Sequence, residues 1–96
     1  MIKSFGNQLA EDLFNDKKKT KALRKFPPEL LRVARRKILY LYDAAILQDL
    51  KVPPGNRLEA LKGDLEGYYS IRINDQWRVI FKWDNGASDV QVLDYH

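Results

Sequence analysis

Arg78 is second in the run Trp77-Arg78-Val79-Ile80-Phe81-Lys82-Trp83, whose alternation suits a strand with one face buried. A guanidinium presents a fixed fork of donors that matches phosphate oxygens, and a strand would hold that fork rigidly. Lys62 lies in Leu61-Lys62-Gly63-Asp64, and glycines at 63 and 67 let the backbone there approach a polyanion closely. The segment is no P-loop, because the GxxxxGK[ST] spacing is absent. His96 is the only imidazole and follows Asp94-Tyr95; an ordinary pKa of about 6.5 suits it to acid or base work near neutrality. Cleaving RNA without a metal requires a base for the 2′-hydroxyl proton, cations for the attacked phosphate and an acid for the departing 5′-oxygen. These side chains cover all three. Taken singly, each has a plainer reading: an arginine paired across a sheet, a solvated lysine, a frayed last residue.

Positioning such groups requires a sheet. Tyr68 to Ile73, Trp77 to Trp83 and Val90 to Asp94 read as strands, Leu58 to Leu61 as a shorter one, with turns at Asn74-Asp75 and Asp84-Asn85-Gly86. Alternation puts Tyr69, Ile71 and Ile73 on one face with Trp77, Val79, Phe81 and Trp83, and leaves Tyr68, Ser70, Arg72, Arg78, Ile80 and Lys82 on the other. Upstream, Ile2 to Phe5 suits a short strand and Gln8 to Asn15 a helix burying Leu9, Leu13 and Phe14. Lys17 to Lys21 reads as a basic connector, with room for a helical turn through Lys25. From Pro28 to about Ala45, Leu30, Ala34, Ile38, Leu41 and Ala45 recur at helical spacing, and Val52-Pro53-Pro54-Gly55 enforces a break after one more short turn. The expected architecture is α+β: N-terminal helices packed on one face of a twisted antiparallel β-sheet.

Bulk properties narrow the function. Ninety-six residues make a single domain, 1–96, with one core and no second lobe. The absence of cysteine excludes disulfides, thiolate nucleophiles and Cys-based zinc, and one histidine argues against a His-rich metal site, so neither metal nor cofactor is expected. No apolar run approaches the roughly 20 residues that span a bilayer, and no signal-peptide segment is evident, so a cytoplasmic protein without a membrane partner is expected. The net charge is +4, but Lys17 to Lys37 holds ten of the seventeen basic residues and only one acid, Glu29. Such clustering suits a polyanion or an acidic protein as partner; the alternative is a solvated helix face.

Leu61-Lys62-Gly63-Asp64, Gly67-Tyr68-Tyr69-Ser70-Ile71-Arg72, Trp77-Arg78 and Asp94-Tyr95-His96, with a weaker match at Met1-Ile2-Lys3-Ser4-Phe5, together resemble the RelE/ParE superfamily of bacterial toxins. Within it the chain is similar to the HigB-type toxins, which cleave messenger RNA on the ribosome and are silenced by an antitoxin. The resemblance implies a RelE-like microbial ribonuclease fold spanning nearly the whole chain. It also implies catalytic roles for Lys62, Arg78, Asp94, Tyr95 and His96. Lys62 and Arg78 would neutralise phosphate, Tyr95 would stack on a base or position the scissile phosphate, and Asp94 or His96 would handle a proton, which of them as base or acid being open. One departure stands out: where the family pattern has a histidine three residues before the lysine, this chain has Glu59, a carboxylate able to serve as base. Arg32, Arg35, Arg36, Lys37, Tyr68 and Arg72 are the candidate RNA-binding residues, exposed aromatics adding about 1–3 kcal/mol per stacked base. Trp77 and Trp83 are expected under the helices. The implied partners are a cognate helix-turn-helix antitoxin of the HigA type, the ribosome and mRNA, with DNA reached only indirectly through the antitoxin. Two other readings keep part of the pattern: a ParE-like topoisomerase inhibitor, against which Lys62, Arg78 and the closing trio speak, and a non-catalytic RNA-binding module using the basic window.

Overall fold

The helices that cover the sheet are entered where a side chain or a proline deals with the unpaired amides of a first turn. The computed structural model describes residues 1–95, so the expectation for His96 lies outside the described residues. Asn7 caps α1 (Gln8–Phe14), accepting from Ala10 N, and its amide also grips the sheet, donating to Val92 O at 2.9 Å. Thr20 caps α2 (Lys21–Arg24), accepting from Leu23 N at 3.2 Å. Pro28 opens a 3-10 turn that leads into α3 (Leu31–Asp43). Ala34, Ile38 and Leu41 are fully buried on α3, as their spacing predicts. The stripe stops there: α3 ends at Asp43, so the chain leaves helical geometry before Ala45, which is exposed while Ala44 is buried instead.

Four strands follow, β1 (Glu59–Ala60), β2 (Tyr69–Arg72), β3 (Trp77–Trp83) and β4 (Ala87–Asp94), forming an antiparallel sheet in the order β1-β2-β3-β4. β4 begins three residues before the expected Val90, because Ala87 and Ser88 pair with Trp83 and Lys82 before a bulge at Asp89, whose φ is +52°. The Ile2 to Phe5 segment lies parallel alongside β4, bridging to Ala87 and Val90, so the antiparallel sheet gains a parallel flank. Gly6 follows it closely: a Cβ there would lie 2.2 Å from Asp89 Oδ1.

The helices cover the face carrying Ile71, Ile73, Val79, Phe81, Val90 and Val92, all buried. Trp77 belongs to this side too, edge-on to Phe26 with ring centroids 4.8 Å apart, and Trp83 packs edge-on against Phe81. Full burial of a side chain such as Phe81 contributes about 1.5–3 kcal/mol. Two polar groups go unsignalled by periodicity. Asp12 is buried, bonded by Thr20 Oγ1 at 2.7 Å and Gln8 Nε2 at 2.8 Å, and these bonds hold its carboxyl below the ordinary value of 3.8 against the opposing effect of burial. Asn56 is fully buried, donating to Leu50 O and Val52 O and accepting from Lys37 Nζ at 2.6 Å. It joins the middle of α3 to the loop that feeds β1.

Candidate active site

On the face away from the helices, strand register decides what meets. Glu59, Ser70, Ile80 and Gln91 form one row across the sheet, and Arg72, Arg78 and Leu93 the next. The face is less open than alternation suggests. Ser70 and Ile80 are fully buried and Leu61 nearly so, giving the polar groups an apolar floor. Arg78 reaches across it: Nη1 donates to Ser70 Oγ at 3.2 Å and lies 3.6 Å from Glu59 Oε1, two strands away. Its guanidinium also stands over the Tyr95 ring, 6.0 Å from the centroid. Only 17% of the Arg78 side chain is exposed against 54% for Glu59, so the arginine is held and the carboxylate faces solvent.

Arg72 and Arg78 are directly opposed on neighbouring strands. Like charges in that relation cost about 0.2–1 kcal/mol. Two carboxylates offset the repulsion, Asp75 beside Arg72 and Glu59 beside Arg78. Arg72 in turn holds the Asp75 carboxyl below its usual range, by hydrogen bond first and by charge second. A phosphate between the two guanidiniums would relieve the same repulsion.

The remaining candidates divide. Tyr95 is brought to Arg78, its backbone N–H donating to Gln76 O at 2.7 Å, which fixes the chain just beyond β4. Asp94 pairs in register with Trp77, on the opposite side of the sheet from Arg78 at its end, and accepts from Gln76 Nε2 at 2.9 Å. Lys62 is exposed where β1 runs into the Gly63–Leu65 turn, with Gly63 at φ +66°. Its ammonium makes no ion pair and no side-chain hydrogen bond among the described residues. Tyr68 lies on the site face, donating to the Asp89 carboxylate beneath the Lys82 ammonium, which is 5.1 Å from the ring centroid. The bond to Asp89, then burial, raises the phenol above its ordinary value.

The basic window of α3 is not uniform. Arg32 and Arg36 are exposed. Arg35 is used internally, bonded to Leu13 O and Lys17 O and paired with Asp16 Oδ1 at 3.2 Å, so it ties α1 to α3. Lys37 is bound by Asn56, and desolvation, then Arg36 and Arg72, lowers its pKa. Sequence reasoning missed Ser70 as the seat of Arg78; a small polar residue central to an otherwise bulky strand was the available signal.

A toxin family model, described as RelE-like toxin of type II toxin-antitoxin system HigB, matches residues 3–96. The chain belongs to this HigB-like family. It is 36% identical to Toxin HigB-1 of Vibrio cholerae serotype O1 over 96 residues, covering all of this chain and 98% of that protein. It is 46% identical to Endoribonuclease HigB of Proteus vulgaris over 39 residues, 41% of this chain and 40% of that one. An uncharacterized protein of Haemophilus influenzae is 38% identical over 72 residues, 75% of this chain and 71% of the other. Membership makes this a toxin of a type II toxin-antitoxin system, which implies an antitoxin partner. Among the described residues of this HigB-like chain, no helix is long and apolar enough to cross a membrane.

Proposed function

We propose that this HigB-like chain is, as a single domain, a ribosome-dependent endoribonuclease that cleaves translated mRNA in the cytoplasm and so inhibits translation. The observation that carries this reading is the opposed Arg72–Arg78 pair, with Glu59 and Tyr95 gathered on the same guanidinium. Arg78, with Arg72 and Lys62, takes the scissile phosphate. Glu59, displaced from Arg78 by that phosphate, receives the 2′-hydroxyl proton; the 2′-oxygen bonds to phosphorus as the P–O5′ bond breaks. With Asp94 on the other side of the sheet, the proton returned to the departing 5′-oxygen comes from His96, the one imidazole of the chain, leaving a 2′,3′-cyclic phosphate. Tyr95 positions the phosphate or an adjoining base. The family and the name of the Proteus relative support ribonuclease chemistry. A helix-turn-helix antitoxin of the HigA type silences the activity, and DNA is reached only through it.

The test is cleavage of an mRNA in a reconstituted translation system, with and without ribosomes, and with 2′-deoxy at the cut position. Normal substrate is expected to be cut only on ribosomes, to a cyclic or 3′-phosphate, and the 2′-deoxy substrate to survive. Cutting of the deoxy substrate at an undiminished rate would falsify the 2′-hydroxyl mechanism. Binding to RNA without any cleavage would leave the non-catalytic module as the better reading.

A further inference from the structure

A cleft of about 410 Å³ opens on the helical side of the molecule, on the layer covering the sheet face opposite Arg78. That volume falls within the roughly 300–1,000 Å³ of ligand pockets. The connector between α1 and α2 and the start of α3 build it. Lys17, Lys18, Lys19, Arg24 and Arg35 line it as cations, and no acid among the described residues lines it. Leu23, Phe26, Pro28 and Leu31 supply the apolar part of its wall. Arg35 already has Asp16, but Lys18, Lys19 and Arg24 form no ion pair among the described residues. An apolar centre inside a charged rim is the anatomy of a protein-docking site.

We propose that this cleft is a docking site for an acidic segment of a partner protein that inserts an apolar side chain and sets carboxylates against the surrounding cations. RNA fits it less well. Single-stranded nucleic acid binding combines cations with exposed aromatic faces on which bases stack. The only aromatic residue here is Phe26, which is 2% exposed and already engaged edge-on with Trp77. The wall that remains is aliphatic and prolyl, suited to a leucine, isoleucine or valine. Arg24 and Lys18 are exposed and form no ion pair among the described residues.

The inference stands apart from the ribonuclease reading, because its test measures binding alone. A library of short random peptides is selected on the intact chain, and the enriched peptides are titrated against it by amide NMR and fluorescence anisotropy. The expected winners carry aspartates and glutamates around Leu, Ile, Val or Phe and shift the amides of Leu23 and Leu31. Their affinity is expected to fall about tenfold or more in the double variant Lys18→Glu, Arg24→Glu. It should also fall in Leu31→Ala, with circular dichroism confirming that both variants remain folded. Winners without acidic residues, or equal affinity for the double variant, would overturn the proposal. So would a labelled oligouridine that shifts the same amides and displaces the peptides, which would make the cleft an RNA site.

Discussion

Replacing Arg78 with alanine separates chemistry from folding more sharply than any other change, and the structure allows both effects to be sized. Loss of one donor that stabilises transition-state charge costs about 10²–10³ in rate, or about 2.7–4 kcal/mol. The stability ledger is far smaller. The variant loses a hydrogen bond to Ser70 Oγ, worth about 1 kcal/mol. It also loses a pair with a half-exposed Glu59, worth at most about 1 kcal/mol. The contact over the Tyr95 ring goes too, a loss of about 0.5–1 kcal/mol that roughly cancels the gain of about 0.2–1 kcal/mol when Arg72 no longer faces a like charge. The net loss is about 1 kcal/mol, a fall in Tm of about 4–8 °C for a chain of this size. The assay pairs thermal melting with 5′-end mapping of transcripts cut in a reconstituted translation reaction. Arg78→Lys is expected to fall between wild type and Arg78→Ala, keeping charge but losing the fork. Undiminished cleavage by a folded Arg78→Ala variant refutes the assignment. A melting temperature that collapses well beyond 8 °C refutes the claim that this arginine is held for chemistry rather than for the fold.

Three further outcomes are expected. Asn56→Ala leaves Leu50 O, Val52 O and the Lys37 ammonium without their partner and is expected to cost about 2–4 kcal/mol in urea unfolding, with the site face unchanged by NMR. Thr20→Ala removes the α2 cap, a loss of about 1 kcal/mol at neutral pH, and the strongest bond lowering the Asp12 pKa. Because that folded pKa lies below 3.8, the stability Asp12 adds is present above 3.8 and lost as pH falls through the folded value. Urea melts across the acid range should therefore show the gap between wild type and Thr20→Ala narrowing as pH drops, down to the pH-independent loss of the cap, with the Asp12 carboxyl titrating higher in the variant by NMR. Removing Tyr95 and His96 takes away a ring under Arg78 worth about 0.5–1 kcal/mol, so the truncated chain should fold and lose mRNA cleavage; normal cleavage would place the site elsewhere.

Periodicity read the elements well where one face is apolar and the other wet. The α3 stripe through Leu41 and the strand faces of β2 and β3 follow directly from it. It overran at Ala45, because a repeat carries no mark of where a helix stops. β4 began earlier than its apolar run because Ala87 and Ser88 pair as strand without looking like one. Asp12 and Asn56 were illegible for another reason: Thr20, which bonds Asp12, and the Leu50 and Val52 carbonyls, which bond Asn56, lie outside the α-helices and strands, and hydrogen bonds there leave no periodic trace. Arg35 and Lys37 looked like surface charge because composition cannot show a guanidinium folded back onto Leu13 O or an ammonium held by Asn56. Arg78 could be picked out by type and by family resemblance. That Glu59 would meet it over Ser70 required the register of three strands.

The two-residue β1 has an evolutionary meaning. It is an edge strand whose residues are both exposed, and it pairs only with β2. A side chain at position 59 therefore reaches the centre of the site while bearing almost none of the weight of the core. On the proposed mechanism, exchanging an imidazole for a carboxylate there would change the proton acceptor without touching the residues that set the register of β2, β3 and β4. Such a position is free to drift: a lineage can try different proton acceptors against a standing pair of arginines without first re-solving the problem of folding.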